Sequence, residues 1–198
     1  MLHALELQKK ICRIKIELLE EIMKKYNVIF LTLILTSLVW LETTLPSIQY
    51  KLDDLTKSIK MPKVDHEAML EEDRSNKGKP IPQRYGYKFD VNYNINTDGI
   101  WYDLTDGSKL WQISFYSENA FALKIFFDQF YLPQGSELYI YNKEENIILG
   151  PFTYKDNHID MDFGHRLIAG NTITVEYYEP EEVNENVIIN INEIIHDY

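Results

Sequence analysis

From Tyr85 onward, apolar and polar residues alternate, and this pattern constrains the fold more than any other feature of the chain. Residues two apart lie on the same face of a strand, so strict alternation predicts a half-buried strand. In the first segment the apolar positions are Tyr85, Tyr87, Phe89, Val91, Tyr93 and Ile95. The first strand therefore has one apolar face and one polar face.

Further short alternating segments follow, and they are separated by turn sequences such as Asp98-Gly99 and Asp106-Gly107. Glycine accepts the positive φ that such turns often need. No helix-period segment is found after about residue 75. Together these features predict an all-β fold, an antiparallel β-sandwich or jelly roll of about eight or nine strands.

An uncharged apolar run, from Val28 to Leu41, follows directly after Lys24-Lys25. Secretory signal peptides have an apolar region of about 7–15 residues behind positive charges, whereas a membrane-spanning helix needs about 18 or more apolar residues. We therefore expect an apolar signal helix and a secreted, cell-surface or periplasmic protein. Trp40 and Leu41 are poor cleavage-site residues, so an uncleaved anchor that contacts the membrane through residues 28–41 is the alternative.

The pattern divides the chain into four parts. Residues 1–22, which include Cys12, form a charged extension whose place in the protein depends on whether translation starts at Met1 or at Met23. Residues 23–45 are the signal peptide or anchor. Residues 46–84 contain four prolines and mixed charges, and are expected to be a linker with at most a turn or two of helix around Val64–Leu70. Residues 85–198 form the β module.

Charge and cysteine content exclude several classes of function. The chain has 20 Lys and Arg against 31 Asp and Glu, a formal charge of -11, which disfavours binding to nucleic acid. A single cysteine, Cys12, cannot form an internal disulfide or a cysteine-based metal site. The serines lie in turn sequences and no Gly-x-Ser-x-Gly motif is present. We therefore expect no catalytic residue and no enzymatic activity.

A group of acidic residues near position 160 is the candidate metal site. Asp156, Asp160 and Asp162 carry the oxygen ligands that calcium prefers, and they alternate with the apolar Ile159 and Met161. The alternative is a solvated polar face of a strand whose other face is buried, because no Asp-x-Asp-x-Asp-Gly loop is present. Apart from this calcium candidate, no cofactor is expected.

Clustered aromatic residues are the candidate binding residues of the module. A stacking platform for a sugar or for another protein chain could be formed by Trp101, Tyr102, Tyr139, Tyr141, Tyr177 and Tyr178. The alternative is ordinary cross-strand and core packing. Trp101 and Tyr102 lie in a turn region, so they are the least easily explained as core residues.

Residues 110–180 carry several phrases in a fixed order. They are Trp111-x-Ile113, Phe130-x-Leu132-Pro133-x-Gly135, Leu138-Tyr139-Ile140-Tyr141, Gly150-Pro151-Phe152 and Glu176-Tyr177-Tyr178-Glu179-Pro180. In this order they resemble the N-terminal pro-domain of secreted bacterial trypsin-like serine endopeptidases of the lysyl endopeptidase type. The resemblance implies a secreted precursor part that assists folding, holds a protease latent or positions a partner.

The protease motifs that follow the pro-domain in that family are absent from the printed chain, so no catalytic residue is carried over. We expect either a truncated precursor or an independent extracellular module that binds a glycan or a protein. In the first case a trypsin-like protease domain is the expected partner. The acidic run Glu181-Glu182-x-x-Glu185 would then attract a basic surface.

Overall fold

The computed structural model describes residues 15, 17–18, 20–22, 24–26, 44–52, 58–82 and 84–198. Contacts divide the chain into two units, Met1–Glu42 and Thr43–Tyr198. The described residues of the first unit are helical. The predicted signal helix over residues 28–41 lies outside the described residues. Among the residues that are described, no helix is both long enough and apolar enough to cross a membrane.

The second unit consists mainly of strands. Its helical elements are α1 (Pro46–Gln49), α2 (His66–Asn76) and a short 3-10 turn (Tyr154–Asp156). Its strands are β1 (Ile59–Lys60), β2 (Tyr87–Asn94), β3 (Ile100–Asp103), β4 (Lys109–Tyr116), β5 (Ala122–Tyr131), β6 (Glu137–Asn142), β7 (Ile147–Phe152), β8 (Phe163–Gly164), β9 (Ile168–Ala169), β10 (Thr172–Glu179) and β11 (Ile188–Asp197). The described part of the chain thus has more strands than predicted, because β1, β8 and β9 are only 2 residues long.

The strands form two sheets. The first sheet has the order β1-β4-β10-β6-β7, and β3 also pairs with β4. The second has the order β2-β11-β5-β8, and β9 also pairs with β5. Neighbouring strands are antiparallel except that β1 runs parallel to β4. The all-β prediction is confirmed.

One hydrophobic core receives side chains from both sheets. The first sheet contributes Trp111 and Ile113 of β4, and the second contributes Ile125 of β5 and Ile191 of β11. These residues occupy alternate positions along their strands, as the sequence pattern predicts. Phe89 of β2 is also buried in this core. Alternation therefore identified the faces that meet in the core.

The segment predicted as a linker packs against the domain where it is described. Leu45, Met61 and Val64 are buried, and β1 pairs with β4. We call residues 44–52 the strap, because they cover the face of the first sheet that points away from the core. Under this cover the polar side of β4 is buried as well, including Gln112.

Helix α2 is longer than the turn or two that the sequence predicts. The side chain of Asp65 caps its first turn by accepting a hydrogen bond from the backbone N–H of Ala68 at 3.1 Å. Near its C-terminal end, Asp73 accepts hydrogen bonds from Arg84 at 2.9 Å and from the Tyr198 hydroxyl at 2.7 Å. Tertiary contacts with the end of β11 therefore extend a helix whose own sequence has weak periodicity.

The strand expected over residues 159–163 does not form, and only Phe163–Gly164 is a strand there. Ile159 is fully exposed, and Met161 has a φ of 62° in the left-handed region. The preceding Asn157 holds the chain in place by bonding both the N–H and the C=O of Leu132 at 2.9 Å. Local side-chain bonding thus replaces the strand with a turn.

Candidate functional site

A groove of about 710 Å³ lies beside β3, next to the loop that joins β10 to β11. Among the residues that line it are Trp101, Asp103, Lys109, Glu179, Glu185 and Ile188. We call this surface the Trp101 groove. It combines one large aromatic side chain with charged groups of both signs, so it has the composition of a binding surface rather than of a core.

Trp101 is held in a fixed orientation at this surface. It lies opposite Trp111 in the β3/β4 ladder, and its ring meets Tyr177 edge to face with a centroid distance of 6.0 Å. Its indole N–H donates to the backbone carbonyl of Ile95 at 3.1 Å. Even so, 41% of the residue is exposed. The indole therefore offers a preorganised aromatic surface whose polar atom is already satisfied.

The turn before β3 needs a glycine. Gly99 has a φ of 77°, and a Cβ at this position would lie 2.6 Å from the backbone oxygen of Gln112 and from the indole nitrogen of Trp111. The same Trp111 nitrogen donates to the carbonyl of Asp98 at 2.8 Å. The Asp98-Gly99 turn thus fixes the start of β3, and with it the position of Trp101.

Two of the groove carboxylates are positioned by tyrosine hydroxyls. Tyr177 donates to Glu179 at 3.0 Å, and Tyr131 donates to Glu185 at 2.7 Å. Burial raises the pKa of Tyr177, and the hydrogen bond to Glu185 raises the pKa of Tyr131. Both hydroxyls therefore stay protonated as donors. With Asp103, three carboxylates face one lysine, Lys109, so the groove has a net negative charge.

The six predicted aromatic residues occupy two separate places. Trp101 lies at the groove, and Tyr177 is buried beneath it. The strand ladders place Tyr102, Tyr139, Tyr141 and Tyr178 on the opposite, strap-covered face of the first sheet. There Tyr139 and Tyr141 are buried against Leu45, and Tyr178 stacks on Tyr50 with a centroid distance of 6.2 Å.

A buried carboxylate under the strap was missed by the sequence reasoning. Glu176 of β10 has no exposed surface. One of its oxygens accepts from the backbone N–H of Ser47 at 2.9 Å, and the other accepts from Gln112 at 2.8 Å and from the Tyr141 hydroxyl at 3.0 Å. In the sequence, Glu176 occupies an ordinary polar position of an alternating strand, so no local signal distinguishes it.

A second buried cluster joins a serine to two histidines. The Ser117 hydroxyl lies 2.7 Å from His196 Nδ1, and His196 Nε2 lies 2.7 Å from His66 Nε2. Burial lowers the pKa of His196 to about 4. Neither Ser117 nor His196 has exposed surface, so a substrate cannot reach this hydroxyl in the described conformation. The cluster ties α2 to the end of β11.

The acidic residues of the calcium candidate are not gathered around one point. Asp156 accepts a hydrogen bond from the backbone N–H of Thr153 at 2.7 Å, as part of a capping box. Asp160 and Asp162 lie on the exposed segment that follows. Across the described ranges, no group of three or more His, Cys, Asp or Glu residues is arranged to hold a metal ion.

Comparison with known proteins adds no relative to this description. No protein-family model matches the chain, and neither a curated protein nor a solved structure matches it. The Trp101 groove is therefore interpreted from its own geometry and charge.

Proposed function

We propose that the second unit is a non-catalytic extracellular β-sandwich module, of the jelly-roll kind, that binds a basic segment of a partner protein in the Trp101 groove. The observation that supports this most directly is the position of an exposed, hydrogen-bonded Trp101 among three carboxylates. The two sheets with a shared core supply a rigid frame for that surface.

A lysine or arginine of the partner would meet two attractive features in the groove. A cation over a tryptophan face gains about 0.5–1 kcal/mol at an exposed site and about 2 kcal/mol when water is excluded. The carboxylates of Asp103 and Glu185 add charge attraction at the same place. The formal charge of -11 would also steer a basic partner towards the protein and speed its encounter.

The sequence resemblance makes a trypsin-like protease domain the partner to test first. In this proposal the module acts as a pro-domain of the lysyl endopeptidase type, and it assists folding, maintains latency or positions the partner. The acidic run at residues 181–185 is the relevant feature, because Val183 and Glu185 line the same groove as Trp101. One surface thus combines the aromatic candidate and the acidic candidate of the sequence.

An independent glycan-binding module is the second candidate function. The amide side chains of Asn96, Asn184 and Asn186 also line the groove. Amides supply both donors and acceptors for sugar hydroxyls, and an exposed indole supplies a flat surface for a sugar ring. This candidate uses the same groove without its charge.

Isothermal titration of the full chain with hexalysine, and separately with neutral soluble oligosaccharides, tests the groove and its ligand class. We expect hexalysine to bind, and Trp101→Ala to weaken this binding at least tenfold. Phe121→Ala is the matched control, because Phe121 is 69% exposed and does not line the groove. Equal binding by the Trp101→Ala variant would overturn the proposal. Binding of an oligosaccharide without hexalysine would support the second candidate instead.

The protease part of the proposal is tested by mixing the full chain with a purified protease domain of the lysyl endopeptidase type. We expect a complex that high salt weakens, because exposed charge attraction is screened, together with inhibition or a higher refolding yield of the protease. A protein that binds hexalysine through Trp101 but affects neither protease activity nor refolding would exclude this partner and leave the groove assignment in place.

A further inference from the structure

The strap covers the outer face of the first sheet through three contacts. Leu45 is 1% exposed and packs with Tyr139 and Tyr141. The backbone N–H of Ser47 donates to Glu176 at 2.9 Å. Tyr50 donates its hydroxyl to Asp106 and stacks on a neighbouring tyrosine. An aliphatic side chain, a backbone N–H and a phenol therefore reach separate places on this face.

Glu176 gives the contact its specificity. Its carboxylate is buried between the sheet and the strap, and two of its three hydrogen bonds come from the sheet itself, from Gln112 and Tyr141. These two bonds aim the remaining oxygen at whatever lies over the face. Because a buried carboxylate is costly to leave without donors, this position favours an occupant that presents a backbone N–H to it.

The strap fits the face imperfectly in two respects. The Ser47 hydroxyl is buried and, among the described residues, has no hydrogen-bond partner. Lys51, at the end of the strap, has a φ of 54° in the left-handed region that favours glycine. An unsatisfied hydroxyl costs about 1–3 kcal/mol. Both features reduce the free energy that holds the strap in place.

We propose that the outer face of the first sheet is a peptide-binding surface which the chain's own residues 45–50 occupy in cis. The occupant that displaces them is a partner segment of the same chemistry: an aliphatic residue, a backbone N–H two positions later, and a tyrosine three positions after that. The strap then controls access to the surface. This surface faces away from the Trp101 groove, so the inference does not rest on the function proposed for that groove.

A short connection makes the strap a strong competitor. Segments joined by short flexible linkers have effective concentrations in the millimolar range. An added peptide must therefore exceed this concentration to displace the intact strap, whereas a weakened strap should leave the surface open at much lower peptide concentrations. This difference between intact and weakened straps is the measurable signature of cis occupancy.

The experiment uses a fluorescein-labelled peptide with the sequence of residues 44–52, TLPSIQYKL, and follows its anisotropy. The receptors are the full chain and the full chain with Leu45→Ala and Tyr50→Ala in its own strap. We expect the double variant to bind the peptide at least tenfold more tightly than the unchanged chain. A peptide with alanine at the position of Leu45, and a scrambled peptide, should both bind at least tenfold more weakly.

Binding of the scrambled peptide at equal strength, or no binding by a double variant whose circular dichroism is unchanged, would overturn the proposal. If the double variant does not fold, hydrogen exchange on the unchanged chain gives the answer. Several millimolar unlabelled peptide should accelerate exchange of the Ser47 amide, because the displaced strap loses its bond to Glu176. An unchanged exchange rate at that concentration would also overturn it.

Discussion

At the scale of single residues, two buried histidines are uncharged in the folded domain. His165 accepts a hydrogen bond from the backbone N–H of Ile125 at 3.1 Å and lies 2.6 Å from the carbonyl of Arg166. Burial lowers its pKa to about 4, and burial likewise lowers the pKa of His196 to about 4. Both imidazoles are therefore neutral at pH values where an unfolded chain would begin to protonate them.

Stability should fall as the pH is lowered from about 6.5 to about 4. Over this range the unfolded histidines bind protons with a pKa near 6.5, whereas the folded ones do not, so protons favour the unfolded state. Each histidine accounts for at most about 3 kcal/mol, because one pKa unit corresponds to about 1.4 kcal/mol. Urea unfolding of the full chain at several pH values measures this loss.

Carboxylates also begin to titrate at the low end of that range, so variants are needed to assign the effect. His196→Asn should make the free energy of unfolding less dependent on pH between 6.5 and 5. His158→Gln is the control, because His158 is exposed and should leave the slope unchanged. A slope that does not change in His196→Asn would contradict the assignment.

At the scale of elements, the strap ends in a backbone geometry that glycine prefers. The N–H of Leu52 bonds to the carbonyl of Ser47 at 2.9 Å, and the N–H of Lys51 bonds to that of Ile48 at 3.1 Å. This is the hydrogen-bond pattern of a helix C-terminus with a left-handed residue, here Lys51.

Lys51→Gly should stabilise the docked strap by about 1 kcal/mol, because glycine adopts a positive φ without the steric cost that a side chain adds. Slower hydrogen exchange of the Ser47 amide would show the effect. Lys51→Ala keeps the side-chain penalty and serves as the matched control. Faster exchange in the glycine variant would mean that the left-handed geometry does not hold the strap under tension.

The sequence predicted elements wherever one side of a strand faces the core. Trp111 and Ile113 of β4 and Ile191 of β11 are examples, since alternation records that burial directly. It could not predict the burial of Gln112 or Glu176, because they are polar and the strap that covers them is distant in sequence. The same limit applies to α2, whose length depends on contacts with β11.

At the scale of the whole molecule, the candidate site depends on the connection between the strands. The sequence identified Trp101 as hard to explain as a core residue and the acidic run from Glu181 as a partner surface. It could not place them together, because that requires β3 to pair with β4 and the β10–β11 loop to reach the same edge. It also grouped six aromatic residues that the two faces of one sheet separate.

The indole N–H signals in a nitrogen–proton NMR spectrum of the full chain test the Trp101 groove most directly. The chain has 3 tryptophans, so the Trp101 signal can be assigned from its loss in Trp101→Phe. On titration with hexalysine, we predict that the Trp101 signal shifts progressively, and that the signal of the buried Trp111, bonded to Asp98, stays in place. A Trp101 signal that does not move while hexalysine binds would contradict the assignment of this groove as the binding surface.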